Sequence, residues 1–310
     1  MCREIAKIQA GALSRRQALD GGMSSSGVAS KLRSGRWQPL QCGVYSVFTG
    51  MPSRETTLWA AVLLAGPGAA LSHQTAGELF KLTDQPSSLV HLTVPRERRV
   101  RADASGLVIH RSGRLAQAIH PALLPPRTRI EETVLDLANL APTSEAAFGV
   151  ACAACQRRLT TPARIADAMK RRSRQRWRRE LTAALGLIDD GVHSLLEYRY
   201  VRLVERPHRL PTATRQARSG DDRQRRYLDN LYNDYGLCVE LDGMQAHPDD
   251  QRWRDLRRIN AITQEGLTVL RYGWTDINSR PCQTASQIAD VLRHLGWPGQ
   301  LRRCAICATL

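Results

Sequence analysis

The chain has 310 residues, too many for one ordinary hydrophobic core, so its length predicts two or three domains. It contains 45 lysines and arginines against 29 aspartates and glutamates, and this formal net charge of +16 favours nucleic acid as a partner ahead of a membrane surface. The start, MCREIAKIQAG, lacks the apolar segment of a secretory signal, and Pro67 interrupts the longest apolar run, residues 58–71. The sequence thus predicts a cytoplasmic protein without a transmembrane segment.

Residues 1–50 have the pattern of three short helices followed by a hairpin. The first helix is predicted in REIAKIQAG, and the second begins after Ser14 as N-cap and ends at Gly21. Serines 24–26 open a third helix, GVASKLRSGRW, and the alternating apolar residues of WQPLQCGVYSV predict a hairpin that turns at Gly43. This order is typical of a winged helix-turn-helix.

In that fold the third helix enters the major groove of DNA and the hairpin, or wing, lies on the backbone. The hydroxyls and cations of this segment suit bases and phosphates respectively. The candidate DNA-binding residues are Ser24, Ser25, Ser26, Ser30, Lys31, Arg33 and Arg36. A small helical domain with a solvated basic face would have the same composition.

The stretch from ALSRRQALDGG to GVYSV resembles the winged-helix N-terminus of the AbiEi family of type IV toxin-antitoxin antitoxins. The resemblance implies binding to promoter DNA and a cognate toxin as a protein partner. Two later segments, ALSHQTAGELFKL and TRIEETVLDLANLA, also resemble the part of those antitoxin-like proteins that follows the winged helix.

Residues 51–185 are predicted to form a mixed α/β middle region. Helices are expected in SRETTLWAAVLLAG and HQTAGELFKL, strands in LVHLTVP and GLVIHRS, and helices again from Arg129 onward. Ser72, His73 and His110 include a nucleophile and two bases, but their sequence context shows no convincing catalytic pairing, so structural roles are favoured. No chemistry is assigned to this region.

A basic run, MKRRSRQRWRRE at residues 169–180, precedes the expected domain boundary. Spaced cations of this kind release counterions when they meet DNA, which would make the run a phosphate-tracking helix. A solvated linker is the alternative, and both remain open.

Two CxxC pairs, Cys152/Cys155 and Cys304/Cys307, raise the possibility of a zinc ribbon. The first pair lies in an alanine-rich helical stretch and the second at a terminus expected to fray. Reduced thiols with small buried side chains are therefore the favoured interpretation.

Residues 190–298 predict the order helix, strand, strand, helix, strand, helix. HSLLEYRYVRLVE forms the first helix, the strands RRYLDNLY and GLCVELDG are joined by the tight turn NDYG, and a polar helix precedes the strand LTVLRYGW and the final helix TASQIADVLRHLG. This is the order of the PD-(D/E)xK nuclease core. The predicted fold is thus an α+β multidomain protein with a restriction-endonuclease-like core at its C-terminus.

Two acidic residues on the predicted hairpin point to a metal. Asp229 and Glu240 come side by side when the strands pair, and their oxygens can share one hard cation, magnesium or manganese. Without a cation, two adjacent carboxylates would repel each other and raise each other's pKa. Hydrolysis of a phosphodiester bond uses such an ion because it activates water and neutralises the developing charge.

The C-terminal region also resembles an uncharacterised domain family related to very-short-patch-repair endonucleases. The positions that match its pattern are Glu197, Pro211, Gln216, Tyr227, Asp229, Glu240, Asp242, Gly243, His247, Asp255, Arg258, Asn260 and Arg271. The resemblance implies that Asp242 assists the metal, that Glu197 holds a water or a second ion, and that Gln216, Arg258 and Asn260 contact DNA. The lysine of the general nuclease pattern is replaced by Asp242, and His247 is the expected substitute as general acid or base.

Together these patterns predict a DNA-binding protein with a magnesium- or manganese-dependent endonuclease-like domain. The alternative is an antitoxin or transcriptional repressor whose nuclease-like domain is catalytically inactive. DNA, a cognate toxin and a second copy of the chain are the expected partners, and a membrane is not.

Overall fold

The computed structural model divides the chain into two compact units, Met1–Arg178 and Arg179–Leu310. It describes residues 1–83, 85–100, 106–220, 226–242, 257, 259–305 and 307. Both units combine helices with a small sheet or sheets, so the predicted α+β class is confirmed. Within the described residues, none of the helices has the length and apolar character needed to cross a bilayer.

Unit 1 begins with three helices and a three-stranded antiparallel sheet. These elements are α1 (Cys2–Ile8), β1 (Ala12–Ser14), α2 (Arg15–Asp20), α3 (Ser25–Arg33), β2 (Gln38–Gln41) and β3 (Val44–Ser46). Strand β3 lies between β1 and β2. The predicted N-cap of α2 is confirmed, because Ser14 Oγ accepts the Gln17 N–H at 3.1 Å while Gln17 Oε1 accepts the Ser14 N–H at 2.9 Å.

The rest of unit 1 is a second three-stranded sheet surrounded by helices. Its elements are α4 (Arg54–Ala65), β4 (Ala70–Leu71), α5 (His73–Leu79), β5 (Val90–Pro95), β6 (Leu107–Ser112), α6 (Leu115–Ala118), α7 (Ile130–Leu140), α8 (Ser144–Gln156) and α9 (Pro162–Lys170). Strand β5 is central, antiparallel to β4 and parallel to β6. Five consecutive residues of β5 are buried, so the strand is covered on both faces, and the polar His91 and Thr93 are among them.

Unit 2 is a four-stranded mixed sheet with helices before and after it. The elements before the sheet are α10 (Arg178–Asp189), α11 (Leu195–Arg199) and a π-helix (Tyr200–Glu205) that continues α11. The strands are β7 (Thr214–Ser219), β8 (Arg226–Tyr232), β9 (Leu237–Asp242) and β10 (Thr268–Gly273). The remaining helices are α12 (described at 257 and 259–264), α13 (Trp274–Ser279) and α14 (Pro281–His294).

The strand order in this sheet is β10-β9-β8-β7, with β9 and β10 parallel and the other pairs antiparallel. The predicted hairpin of β8 and β9 is confirmed: a 3₁₀ turn at Asn233–Tyr235 and Gly236 with φ +60° reverse the chain. The sequence prediction omitted β7 and was wrong there, because TRQARS lacks the apolar alternation that identifies a strand. It also omitted the short helix α13.

Candidate functional site

The structure places Asp229 and Glu240 opposite each other on adjacent strands. The register pairs Asn230 with Val239, and continuing it by one residue pairs Asp229 with Glu240. The Leu241 N–H donates to Asp229 Oδ2 at 2.9 Å, and the Asp229 N–H donates to Glu240 Oε1 at 3.4 Å. Since directly opposite residues project from one face of a sheet, the two carboxylates share a face.

Glu197 brings a third carboxylate to this region from helix α11. Ser194 caps the helix by accepting the Glu197 N–H at 3.1 Å, and the Glu197 carboxylate accepts the His193 N–H at 2.9 Å. The side chain is only 7% exposed, so it is not a solvent-facing helix residue. Burial is the main cause of its raised pKa, and the charge of Asp229 raises the pKa further, while hydrogen bonds from His193 and Ser194 oppose the rise.

Gln216 lies on β7 beside Asp229. Its Nε2 donates to Asp229 Oδ1 at 3.4 Å, so its side chain is directed at the carboxylates of the sheet. Its φ of +49° is unusual for a residue with a side chain, and the β7–β8 pairing is interrupted at this position. Left-handed backbone of this kind costs free energy and concentrates at functional sites.

Asp242, at the end of β9, is held by an arginine. Arg271 Nη2 donates to Asp242 Oδ1 at 2.6 Å, and both side chains are partly solvent-exposed. Arg271 is also the residue of β10 that pairs with Glu240 in the parallel register. The guanidinium of Arg271 therefore lies beside Asp242, the residue that replaces the expected lysine.

The other positions of the predicted nuclease pattern divide into three groups. Pro211 is half-buried after the π-helix, and Tyr227 is exposed on β8. Asn260 is an exposed residue of α12. Four others lie outside the described residues: Gly243, His247, Asp255 and Arg258.

The predicted DNA-binding residues of unit 1 are gathered at α3 and the segment after it. Ser24 caps α3 by accepting the Gly27 N–H at 3.0 Å, and Ser25 Oγ accepts a hydrogen bond from Arg15 at 3.1 Å. Lys31 is half-buried. The exposed members of the set are Ser24, Ser25, Ser26, Ser30, Arg33 and Arg36.

The basic run at residues 169–180 is neither one helix nor a free linker. Helix α9 ends at Lys170 and α10 begins at Arg178. Between them the side chain of Arg172 is only 10% exposed, and its Nη2 donates to Glu132 at 2.6 Å and to Asp136 at 2.8 Å. For Arg172 both the phosphate-tracking helix and the solvated linker were wrong, because its guanidinium is paired with Glu132 and Asp136 inside unit 1.

A histidine cluster that the sequence did not reveal borders a cavity of about 940 Å³ in unit 1. The rings of His73 and His110 stack with centroids 3.6 Å apart, and His91 Nδ1 lies 3.2 Å from His110 Nε2. Burial is the main reason that the pKa falls to about 3 for His73 and about 4 for His110, so both are neutral near pH 7. The cavity wall also contains Arg96, Arg111, Arg114, Arg172 and Arg174.

Ser72 and His73 do not form a hydrolase triad. Ser72 Oγ lies 2.9 Å from His73 Nδ1, and the Asp136 carboxylate is 3.9 Å from the same nitrogen. A triad needs the nucleophile and the carboxylate on different nitrogens of the base. Ser72 is also fully buried and accepts a hydrogen bond from Thr93 at 2.8 Å, which suits the structural role predicted for it.

The second CxxC pair is part of a larger cluster, contrary to the prediction of a fraying terminus. The potential ligand atoms of His208, Cys282, Cys304 and Cys307 all lie within 4.8 Å of one another. In the part of the chain that the structure describes, the carboxylates of Glu197, Asp229 and Glu240 do not converge so closely. The first pair lies on helix α8, as predicted.

No protein-family model matches the chain, and a search of the curated proteins finds no match either. Function must therefore be inferred from the geometry and chemistry of these sites.

Proposed function

We propose that the chain is a cytoplasmic DNA-binding protein whose second unit is a magnesium- or manganese-dependent endonuclease-like domain. The observation that carries the proposal is the cross-strand pair Asp229 and Glu240, with the buried Glu197 beside it. Glu197 and Glu240 are buried and Asp229 is half-buried, and neighbouring carboxylates shielded from water are costly as anions unless a cation compensates them. Oxygen-only donors on rigid strands suit a hard divalent ion.

Each side chain has a defined part in the proposed hydrolysis. Asp229 and Glu240 would hold the ion, which when bound would supply activation of a water and neutralisation of charge on the phosphate. Glu197 would accept a hydrogen bond from the attacking water, and Gln216 orients Asp229 through the 3.4 Å contact. His247 remains the proposed general acid or base, and Arg258 and Asn260 remain the proposed DNA contacts of α12.

The absent lysine leaves the charge of the transition state to another cation. Arg271 is the described residue best placed for this, because it pairs in register with Glu240 and its guanidinium reaches Asp242. A cation aimed at developing negative charge is typically worth a large factor in rate. We assign to Arg271 the electrostatic role of the lysine, and to Asp242 the task of positioning it.

Topology supports both halves of the proposal. The mixed sheet of unit 2, with a helix before it and a parallel final strand, has the arrangement expected of a restriction-endonuclease-like core. In unit 1, three helices with the sheet order β1-β3-β2 suit a winged helix, and the exposed side of α3 carries hydroxyls and Arg33, with Arg36 in the segment that follows. This first module would deliver the nuclease to DNA.

The second candidate function is an AbiEi-like antitoxin or repressor with an inactive nuclease-like domain. The observation that favours it is the Asp242–Arg271 ion pair, because an arginine neutralised by a carboxylate stabilises less additional negative charge. A cognate toxin and a second copy of the chain are the proposed protein partners in either case.

Cleavage of supercoiled plasmid DNA with magnesium or manganese tests the proposal. The wild-type chain should nick the plasmid, Asp229→Ala should not, and both should retard DNA equally in a gel-shift assay. Asp234→Ala is the matched control, because Asp234 is an exposed aspartate in the turn of the same hairpin. Cleavage by Asp229→Ala at the wild-type rate would refute the assignment, whereas binding without cleavage by the wild type would favour the repressor.

A further inference from the structure

A histidine and three cysteines from distant parts of unit 2 converge at one point. His208 follows the π-helix, Cys282 lies in the first turn of α14, and Cys304 and Cys307 come from the C-terminal segment. Four side chains of the types that bind soft and borderline metals rarely meet by chance when their residues are this far apart in sequence.

We propose that His208, Cys282, Cys304 and Cys307 bind one zinc ion in a closed tetrahedral site. The inference does not rest on the proposed nuclease function, because it concerns different residues and a different metal. Zinc is the metal that matches a Cys₃His set, whereas magnesium prefers oxygen donors.

The spacing of the ligand atoms agrees with this geometry. With a Zn–S bond of about 2.3 Å and tetrahedral angles, two bound sulfurs lie about 3.8 Å apart, and a sulfur and a nitrogen about 3.6 Å apart. The Sγ atoms of Cys282 and Cys304 are 3.5 Å apart, and those of Cys304 and Cys307 are 3.6 Å apart. Cys307 Sγ lies 3.9 Å from His208 Nε2.

The imidazole of His208 is prepared for metal binding. His208 is fully buried, and its Nδ1 donates a hydrogen bond to the Val204 carbonyl oxygen at 2.8 Å. Because Nδ1 carries the proton, the lone pair is on Nε2, the nitrogen that faces the sulfurs. A backbone carbonyl that fixes the tautomer in this way is a common outer-shell partner of zinc-bound histidine.

Backbone hydrogen bonds also hold the C-terminal segment at the site. The Arg302 N–H donates to the His208 carbonyl oxygen at 3.0 Å, and the Cys304 N–H donates to Cys307 Sγ at 3.1 Å. An amide that donates to sulfur stabilises negative charge on it, as a zinc-bound thiolate requires.

The set supplies four protein ligands and leaves no position for a substrate or a reactive water, which is the pattern of a structural site. The ion would link the C-terminal segment and α14 to His208, which follows the π-helix. The π-helix in turn continues α11, the helix that contains Glu197. Its predicted role is therefore to brace the fold of unit 2, and its loss should lower the thermal unfolding temperature.

Metal analysis of the full-length wild-type chain tests the proposal without any variant. Protein from zinc-supplemented cells, purified without chelators, should contain one zinc per chain by mass spectrometry of the elements. Replacement with cobalt should give the intense visible bands of tetrahedral Co²⁺ and the charge-transfer band of thiolate ligation. Chelation of the metal should shift the unfolding temperature downward.

Paired substitutions then locate the ion. Cys304→Ser combined with Cys307→Ser should abolish zinc retention and the cobalt bands, whereas Cys42→Ser combined with Cys155→Ser should leave both unchanged, because these two cysteines lie in unit 1. If the first variant fails to fold, the wild-type spectrum decides alone. Each of four results would overturn the proposal: wild-type protein without zinc or cobalt bands, a Cys282–Cys304 disulfide, an iron–sulfur spectrum, or loss of zinc in the control variant.

Discussion

Glu197 is a buried carboxylate whose position costs the fold stability. Burial raises its pKa above the ordinary value, and a group whose pKa is raised in the folded state destabilises the protein as its charge forms at higher pH. The fold accepts this cost although a neutral residue of the same shape would avoid it. Such a trade is typical of functional sites.

Glu197→Gln should therefore raise the thermal unfolding temperature of the metal-free chain at pH 7.5. The same change should lower DNA cleavage about 10–100-fold, the usual effect of removing a group that supports a metal centre. Differential scanning calorimetry and plasmid cleavage measure the two effects.

Glu205→Gln is the matched control. Glu205 is at least as deeply buried and burial raises its pKa too, but it is ion-paired with Arg215. Its replacement leaves a guanidinium unpaired away from water, and this loss should outweigh the gain from removing the carboxylate charge and lower the unfolding temperature. Glu197→Gln that destabilises as much as Glu205→Gln would identify Glu197 as a structural residue.

Arg271 makes a second prediction at the level of single residues. If it supplies the positive charge that the lysine normally provides, Arg271→Gln should lower the single-turnover cleavage rate about 10²–10³-fold, with little change in DNA affinity. Arg293→Gln removes an arginine from another surface Arg–Asp pair, on α14, and should cleave like the wild type. Equal rates for both variants would contradict the role of Arg271.

Helix α3 is the element on which the proposed DNA contacts depend. Arg33 and Arg36 are exposed, and each phosphate neutralised contributes about −0.9 to the slope of log K against log salt. Arg33→Ala combined with Arg36→Ala should make that slope shallower by about 2, as measured by fluorescence anisotropy at several salt concentrations. Lys81→Ala with Arg158→Ala, which changes two exposed cations of unit 1 outside α3 and outside the basic run, should leave the slope unchanged.

Elements with strong local signals were predictable from the sequence, and contacts between distant segments were not. The N-caps of α2, α3 and α4 are Ser14, Ser24 and Ser53. N-capping joins residues two or three positions apart, so the start of such a helix can be predicted from the local sequence. The hairpin of β8 and β9 followed from its turn, and its register placed Asp229 opposite Glu240. Strand β7 was not predicted, because it is an edge strand of mostly polar residues without a regular alternation of apolar positions.

The histidine cluster, the ion-paired Arg172 and the Cys₃His set depend on tertiary packing alone. His208 and Cys304 are far apart in the chain, and Arg302 brings them together through a backbone hydrogen bond that no local pattern encodes. His73 and His110 come from α5 and β6, and only the parallel pairing of β5 with β6 sets His91 and His110 on neighbouring strands.

At the scale of the whole molecule, the neutral histidines predict an acid-sensitive fold. Because the pKa values of His73, His91 and His110 are lowered in the folded state, the unfolded chain binds protons more readily below about pH 6.5. The free energy of unfolding should therefore fall as the pH drops from about 6.5 toward 4. Asp136 opposes this, because burial raises its pKa, although the charge of Arg172 acts in the other direction.

His110→Asn should make this pH dependence shallower by up to about 1.4 kcal/mol per pH unit, the value of one linked proton. Hydrogen exchange of the β5 amides reports the opening of unit 1 and measures the slope. His120→Asn is the control, because it replaces a histidine outside the stacked cluster and should keep the wild-type slope. An unchanged slope in His110→Asn would show that the cluster does not govern acid unfolding.

The net charge of +16 favours binding to a polyanion such as DNA, and the proposed cleavage would need in addition the proposed metal at the sheet of unit 2. Manganese binding followed by electron paramagnetic resonance tests that metal site most directly. Zinc-loaded wild type should bind Mn²⁺, and Asp229→Asn and Glu240→Gln should each weaken the binding at least about tenfold, while Asp234→Asn should bind as the wild type does. Mn²⁺ binding of equal strength in all four proteins would contradict a metal centre at Asp229 and Glu240.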